Sequence, residues 1–181
     1  MTNERKIDVV ILGFLSHEPL TGYDIKRRID SSIRFFWKAS FGSIYPALNA
    51  LEKDGLVVKE ESFENGRQKI IYSITKLGKD YLIEWLKNSQ SKNELKYETL
   101  LKLFFGGAVG KEVTLQTIID FEQNVKRELG LLKLYLNNLS QVLDNEDHVY
   151  YYLTVAFGVE TYEGYLRWCE MAKKMLQKNQ N

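Results

Sequence analysis

Apolar residues recur at helical spacing from the start of the chain. Ile7, Val10, Ile11 and Phe14 form one stripe, which predicts a first helix from about Glu4 to Leu15. Pro19 closes that region, and Thr21 can cap a second helix, its hydroxyl accepting from free backbone N–H groups of the first turn. That helix carries Tyr23, Ile25, Ile29 and Ile33, with Lys26, Arg27 and Arg28 among them. A third amphipathic run spans Ser40 to Leu56. Ile44, Leu48 and Leu51 share one face of it, and Pro46, Asn49, Ala50 and Lys53 share the opposite face, with Ser43 and Tyr45 at the edges. Ser43 can cap this helix, and Ser40 can do so a turn earlier. Pro46 falls in the first turn, where its missing N–H costs nothing, and Gly55 follows as a left-handed stop.

Periodicity then changes. Leu56-Val57-Val58-Lys59 and Lys69 to Ile74 are rich in β-branched and aromatic residues and read as strands. Between them Glu64-Asn65-Gly66-Arg67 supplies a turn, Asn-Gly being a strong hairpin signal. A fourth helix is expected from about Lys76 to Leu86, with Leu77, Tyr81, Leu82 and Trp85 on one side. Residues 88–94 are polar and have no period, and read as a loop between two regions.

The second region is helical throughout. Tyr97 to Phe105 forms one helix, closed by Gly106-Gly107. From Leu115 to Leu143, two series recur every seven residues: Ile118, Val125, Leu132, Leu139, and Glu122, Leu129, Leu136, Leu143. This is a heptad seam with one polar defect at Glu122. A last helix from about Glu146 to Gln177 is expected to bury Leu153, Phe157, Gly164, Trp168, Ala172 and Met175. Two helices this long have too little chain around them to cover every apolar edge, so a second copy of the chain is the natural cover. The fold expected is mainly α with a small β-hairpin wing. A winged helix-turn-helix domain occupies residues 1–88, a linker 89–96 and a helical dimerisation domain 97–181.

Composition narrows the chemistry. The chain has 181 residues, 44% of them hydrophobic and 27% charged, an ordinary globular balance. It has no apolar run of the roughly 18 residues needed to span a bilayer and no secretory leader, so a cytoplasmic location without membrane contact is expected. Cys169 is the single cysteine, which excludes an internal disulfide and a multi-cysteine zinc site. Net charge is only +1. Residues 1–88 hold 14 Lys/Arg and 12 Asp/Glu, so positive charge for binding nucleic acid has to be local.

The third helix with its hairpin is the main functional signal. An α-helix fits a major groove, where base edges can be told apart. Asn49 can pair with adenine, Tyr45 and Ser43 can reach bases or phosphate, and Lys53 can meet a phosphate. Arg67 and Lys69 beside the turn can lie against the backbone or enter a minor groove. Lys26, Arg27, Arg28, Arg34 and Lys38 can hold phosphates. The alternative is a surface helix and a solvated charged face, in a winged helix module that binds proteins and not DNA. An enzyme is not expected. His17 and His148 are isolated, Asp144, Glu146, Asp147 and His148 can bind an ion but read first as a charged loop between helices, Gly106-Gly107-Ala108-Val109-Gly110 lacks the rest of a phosphate loop, and no cofactor is implied. Trp85, Tyr162, Tyr165 and Trp168 can line a pocket for a flat apolar ligand, or pack as core and interface.

With these residues laid out, the chain resembles the PadR family of winged helix transcriptional regulators. The resemblance rests on Leu12-Gly13-Phe14-Leu15, Thr21-Gly22-Tyr23-Asp24-Ile25 and Ser43-Ile44-Tyr45-Pro46-Ala47-Leu48. Leu51-Glu52-Lys53-Asp54-Gly55-Leu56 and Tyr72-Ser73-Ile74-Thr75-Lys76-Leu77-Gly78 complete it. The helical tail is similar to that of the shorter-tailed subfamily, in which it dimerises. The resemblance implies a homodimeric repressor on a palindromic operator in double-stranded DNA, released in some relatives by a small aromatic effector. With the wing it places Tyr23, Ser43, Tyr45 and Pro46 at or near DNA. The full set of expected DNA contacts is then Tyr23, Lys26, Lys38, Ser40, Ser43, Tyr45, Pro46, Asn49, Lys53, Arg67 and Lys69. Expected effector contacts are Trp85, Tyr162 and Trp168. Asn49 and Ala50 stand where relatives often carry more basic residues.

Overall fold

In the computed structural model, which describes residues 6–64, 67–87, 93 and 96–178, the first apolar stripe becomes helix α1 (Lys6–Leu15). Its Ile11 and Leu12 are fully buried. A short strand β1 (Leu20–Thr21) follows, then α2 (Gly22–Arg28). Thr21 caps α2 reciprocally with Asp24: the Asp24 N–H donates to Thr21 Oγ1 (3.1 Å), and the Thr21 N–H donates to the Asp24 carboxylate (3.4 Å). The helix widens into one π turn over Ile29–Ile33, which keeps Ile25 and Ile29 both fully buried.

Helix α3 spans Phe41–Lys53. Its stop is a complete Schellman motif. Gly55 has φ of 71°, its N–H donates to the Glu52 carbonyl (3.0 Å), and the Leu56 N–H donates to the Leu51 carbonyl (2.9 Å). Strands β2 (Val57–Glu64) and β3 (Arg67–Ile74) pair antiparallel from Val57↔Ile74 to Glu64↔Arg67. Both are longer than their apolar runs, because the backbone ladder continues through exposed Glu60 and Glu61, whose side chains alternate between the two faces. The sheet order is β1-β3-β2, with Leu20 opposite Tyr72. Two residues leave β1 without a signal of its own, and pairing with β3 is what makes it a strand.

Thr75 joins the hairpin to α4 (Lys76–Lys87). Its hydroxyl donates to the Gly55 carbonyl (2.8 Å) and accepts from the Gly78 N–H (3.0 Å). Gly78 is packed so closely that a Cβ there would stand 2.1 Å from the Leu56 carbonyl oxygen. α4 buries Gly78 and Leu82 and half-buries Trp85. Leu77 and Tyr81, expected on that side, are 58% and 38% exposed. The glycine lets the backbone itself approach, so the buried stripe is rotated toward position 78.

The chain divides into two compact units, Met1–Asn93 and Glu94–Asn181. Most of the expected linker, residues 89–92 and 94–95, lies outside the described residues. The second unit begins with α5 (Glu98–Phe104) and a 3-10 turn over Gly106–Ala108. Helices α6 (Lys111–Ser140) and α7 (Glu146–Lys178) follow. Lys133 pairs with Glu163 (2.7 Å) and Glu122 with Lys173, so the two long helices run antiparallel.

The heptad seam holds from Ile118 to Leu132, and Glu122 lies within it, buried. Leu143 falls beyond the helix end and is exposed, because Asn145 starts the next helix by accepting the Asp147 N–H (3.0 Å). α7 buries Val159 and Cys169; of the side expected, Gly164, Trp168 and Ala172 are half-buried, while Leu153, Phe157 and Met175 are 59%, 71% and 59% exposed. From Val149 to Val159 its pattern is apolar nearly all round, so the period alone does not select a face there. Burial pushes the Cys169 thiol above its ordinary pKa, with the Glu122 carboxylate adding to the shift. Among the described residues no helix is long and apolar enough to cross a membrane.

Candidate nucleic-acid interface

α3 is anchored by Ile44, Leu48 and Leu51, each at most 1% exposed, against the core of the first unit. Helical geometry then forces Phe41, Tyr45, Pro46, Asn49 and Lys53 outward, and all are exposed. Ser40 is the N-cap residue, a turn before Ser43. The Ser43 hydroxyl accepts from the Ser40 N–H (3.1 Å) and donates to the Ser40 carbonyl (2.8 Å). Ser43 is therefore half-buried and occupied in holding the first turn, while Asn49 projects the one amide of the exposed face.

An aromatic ladder crosses from α2 to α3. Tyr23 stacks on Phe41 (centroids 6.3 Å apart, planes at 13°), and Phe41 on Tyr45 (6.1 Å, 23°). All three rings stay substantially exposed: Tyr23 62%, Phe41 43%, Tyr45 44%. Gly22 makes room for the ladder, since a Cβ there would stand 2.6 Å from Tyr45 Cε1. Lys26 Nζ lies 6.0 Å from the centre of the Phe41 ring, the outer limit of a cation–π contact. Phe41 was not among the residues singled out by sequence. Its spacing of four from Tyr45 was the available signal, but the Tyr23 ring arrives from another helix.

Around this face the basic residues are partly committed. Lys26 pairs with Asp30, Arg28 with Glu18, and Lys59 of β2 with Glu52 of α3 (2.9 Å). The hydrogen bond from Lys59 to Glu52 raises the Lys59 pKa. Phosphates would have to exchange with these carboxylates. Lys38 and Lys53 are exposed, as is Lys69 on β3. In the wing, Asn65 and Gly66 and the side chain of Arg67 lie outside the described residues.

Trp85 packs against the core of the first unit. In the second unit, Tyr162 and Trp168 belong to an aromatic cluster with Tyr97, Phe121 and Tyr165. Phe121 meets Trp168 edge to face (6.1 Å), and Tyr162 packs on Tyr165 (5.5 Å). The Tyr97 and Tyr165 hydroxyls hydrogen-bond, and burial first, then that bond, pushes the Tyr97 phenol well above its usual range. Among the described residues no three His, Cys, Asp or Glu side chains are grouped as a metal site.

Known proteins share this fold. The model of the transcriptional regulator PadR-like family matches residues 11–84, and that of the virulence activator alpha C-terminal region matches residues 95–177. The chain is 25% identical to the negative transcriptional regulator PadR of Bacillus subtilis, over 97% of this chain and 100% of that protein. It is similar to the crystal structure of Bacillus subtilis PadR in complex with operator DNA, with a TM-score of 0.80 and 26% identity over 95% of this chain and 99% of the other. The same relative in complex with p-coumaric acid matches with a TM-score of 0.74 and 27% identity, over 96% of this chain and 99% of the other.

Proposed function

Since the chain belongs to the PadR-like family of transcriptional regulators, we propose that it binds double-stranded operator DNA as a homodimeric repressor. The observation that carries this reading is the likeness, over nearly the whole of both chains, to a relative held on its operator. α3 enters the major groove, presenting Tyr45, Pro46 and Asn49. Lys38, Lys53, Lys69 and Arg67 meet phosphates, and Lys26 joins them by leaving Asp30. Tyr23 lies beside α3 in the ladder, and Ser40 and Ser43 hold the first turn at the DNA. Residues 1–88 are the reading head, 89–96 the linker and 97–181 the dimerising part.

The apolar surface of the second unit supports a second copy as partner. Leu101 and Phe104 of α5 and Phe105 just after it are 58%, 82% and 63% exposed, and Leu153 and Phe157 of α7 are exposed too. Monomeric proteins rarely leave contiguous patches of such residues open. Two heads then meet half-sites about 34–36 Å apart, or a multiple of that spacing. A small aromatic effector, as in the relative that binds p-coumaric acid, releases the DNA, and Tyr162 and Trp168 of the second unit are its contacts, while Trp85 serves the core of the first unit. It acts only by favouring one spacing of the heads over another. The protein works in the cytoplasm, where the operator is.

Selection of duplexes from a random library, followed by titration at two salt concentrations, tests the reading. A palindromic site bound with steep salt dependence is expected. A stable dimer that enriches no sequence would overturn it and favour a module for protein partners.

A further inference from the structure

The exposed face of α3 is poor in groups that tell one base pair from another by hydrogen bonding. Asn49 is its one amide and Tyr45 its one phenol, the Ser43 hydroxyl is tied into the cap, and Lys53 sits in the last turn. What the first turn offers to a groove is aromatic. Phe41 is the first residue of the helix, 43% exposed, and it is the middle ring of the ladder. N-terminal residues of a recognition helix are the ones that meet base edges.

A phenyl ring has no hydrogen bond to give, but one base-pair feature in the major groove is apolar: the C5-methyl of thymine. We propose that Phe41 is a specificity-determining residue that reads thymine, its free edge lying against the C5-methyl group at one position of each half-site. The inference rests on the operator-binding reading and deepens it. Tyr23 and Tyr45 both stack on the ring, so little side-chain freedom is lost on contact. Lys26, near the ring centre, is placed to reach the phosphate beside the base that Phe41 touches once it leaves Asp30. The ladder thus couples a methyl contact to a phosphate contact on one surface.

The test uses the full-length protein and a duplex that it selects. Each thymine is replaced singly by deoxyuridine, which removes the methyl and keeps every hydrogen-bonding group. Loss of one methyl contact should weaken binding about fourfold at one symmetric pair of positions. In Phe41→Ala that difference between thymine and uracil should vanish at that pair alone, while other positions respond as in the parent. If Phe41→Ala loses its cooperative unfolding transition, Phe41→Leu takes its place, and a reduced difference at the same pair is expected. A parent protein indifferent to every substitution, or a variant with unchanged preference, overturns the proposal while DNA binding stands. A parent that binds no duplex at all removes the operator reading itself, and this inference with it.

Discussion

A Cβ on Gly22 would stand 2.6 Å from Cε1 and 3.0 Å from Cζ of Tyr45, so the ring of α3 is seated directly on the first residue of α2. The clash falls on the far end of an exposed side chain, and the ring can swing away. Gly22→Ala should therefore change stability by no more than about 1 kcal/mol. It should displace Tyr45 and the ladder above it, and weaken the selected duplex about tenfold. Thermal unfolding and DNA titration on one preparation separate the two effects. Equal loss in both would mean that Gly22 serves packing alone.

Gly78 has no such escape. A Cβ would meet the Leu56 carbonyl oxygen at 2.1 Å, and that oxygen already accepts from the Thr75 N–H (3.0 Å). Gly78→Ala should cost about 3 kcal/mol or more, since backbone and not a rotamer must move. Urea unfolding checks it: the midpoint falls while the slope stays constant.

Contacts to phosphate and to bases should respond differently to substitution. Lys53→Ala, Lys69→Ala and Arg67→Ala should weaken binding to all sequences alike, and each should lower the salt slope by about one. Asn49→Ala should cost about 1–3 kcal/mol on the selected site and little on random DNA, thereby relaxing sequence preference. A uniform loss with Asn49→Ala would move that residue to the phosphates.

Glu122 ties α6 to α7. Its carboxylate, buried in the seam, meets Lys126 (2.8 Å) on its own helix and Lys173 on the other, and those two hydrogen bonds, Lys126 first, hold its pKa below the ordinary carboxylate value. A depressed folded-state pKa contributes stability above the unfolded value of about 4.3, and that stability is lost as pH falls through the folded-state value. Stability should drop on acidification below about pH 4, and the pH dependence should flatten in Glu122→Gln. Glu122→Gln should also cost about 1–3 kcal/mol at neutral pH by leaving Lys173 without its carboxylate. Glu122→Leu combined with Lys173→Met should recover most of that loss, because a buried pair replaced by apolar side chains is often neutral.

The proposed dimer is tested on α5, where no residue is buried. Leu101→Asp with Phe104→Asp should leave helix content unchanged and shift the sedimenting mass from dimer to monomer at micromolar concentration. Persistence of a dimer would assign the contact to another surface, with Leu153 and Phe157 of α7 next in line.

Much of this molecule is decided by interactions a few residues long. Thr21 with Asp24, Gly55 after Leu51, and Ile44 with Leu48 and Leu51 state helix starts, stops and faces in the order of the chain, so they were legible in it. The motifs of the first region carried the family for the same reason. What only the folded chain decided are meetings across long stretches. Leu77 and Tyr81 face outward because Gly78 lets the Leu56 backbone approach, and Glu122 is no defect because Lys173 arrives 51 residues later. Phe41 is one more phenylalanine until Tyr23 stacks on it and Gly22 yields space to Tyr45. Capping and periodicity act between neighbours and leave a local mark. Burial and pairing depend on which distant side chain comes to lie opposite, and packing alone settles that.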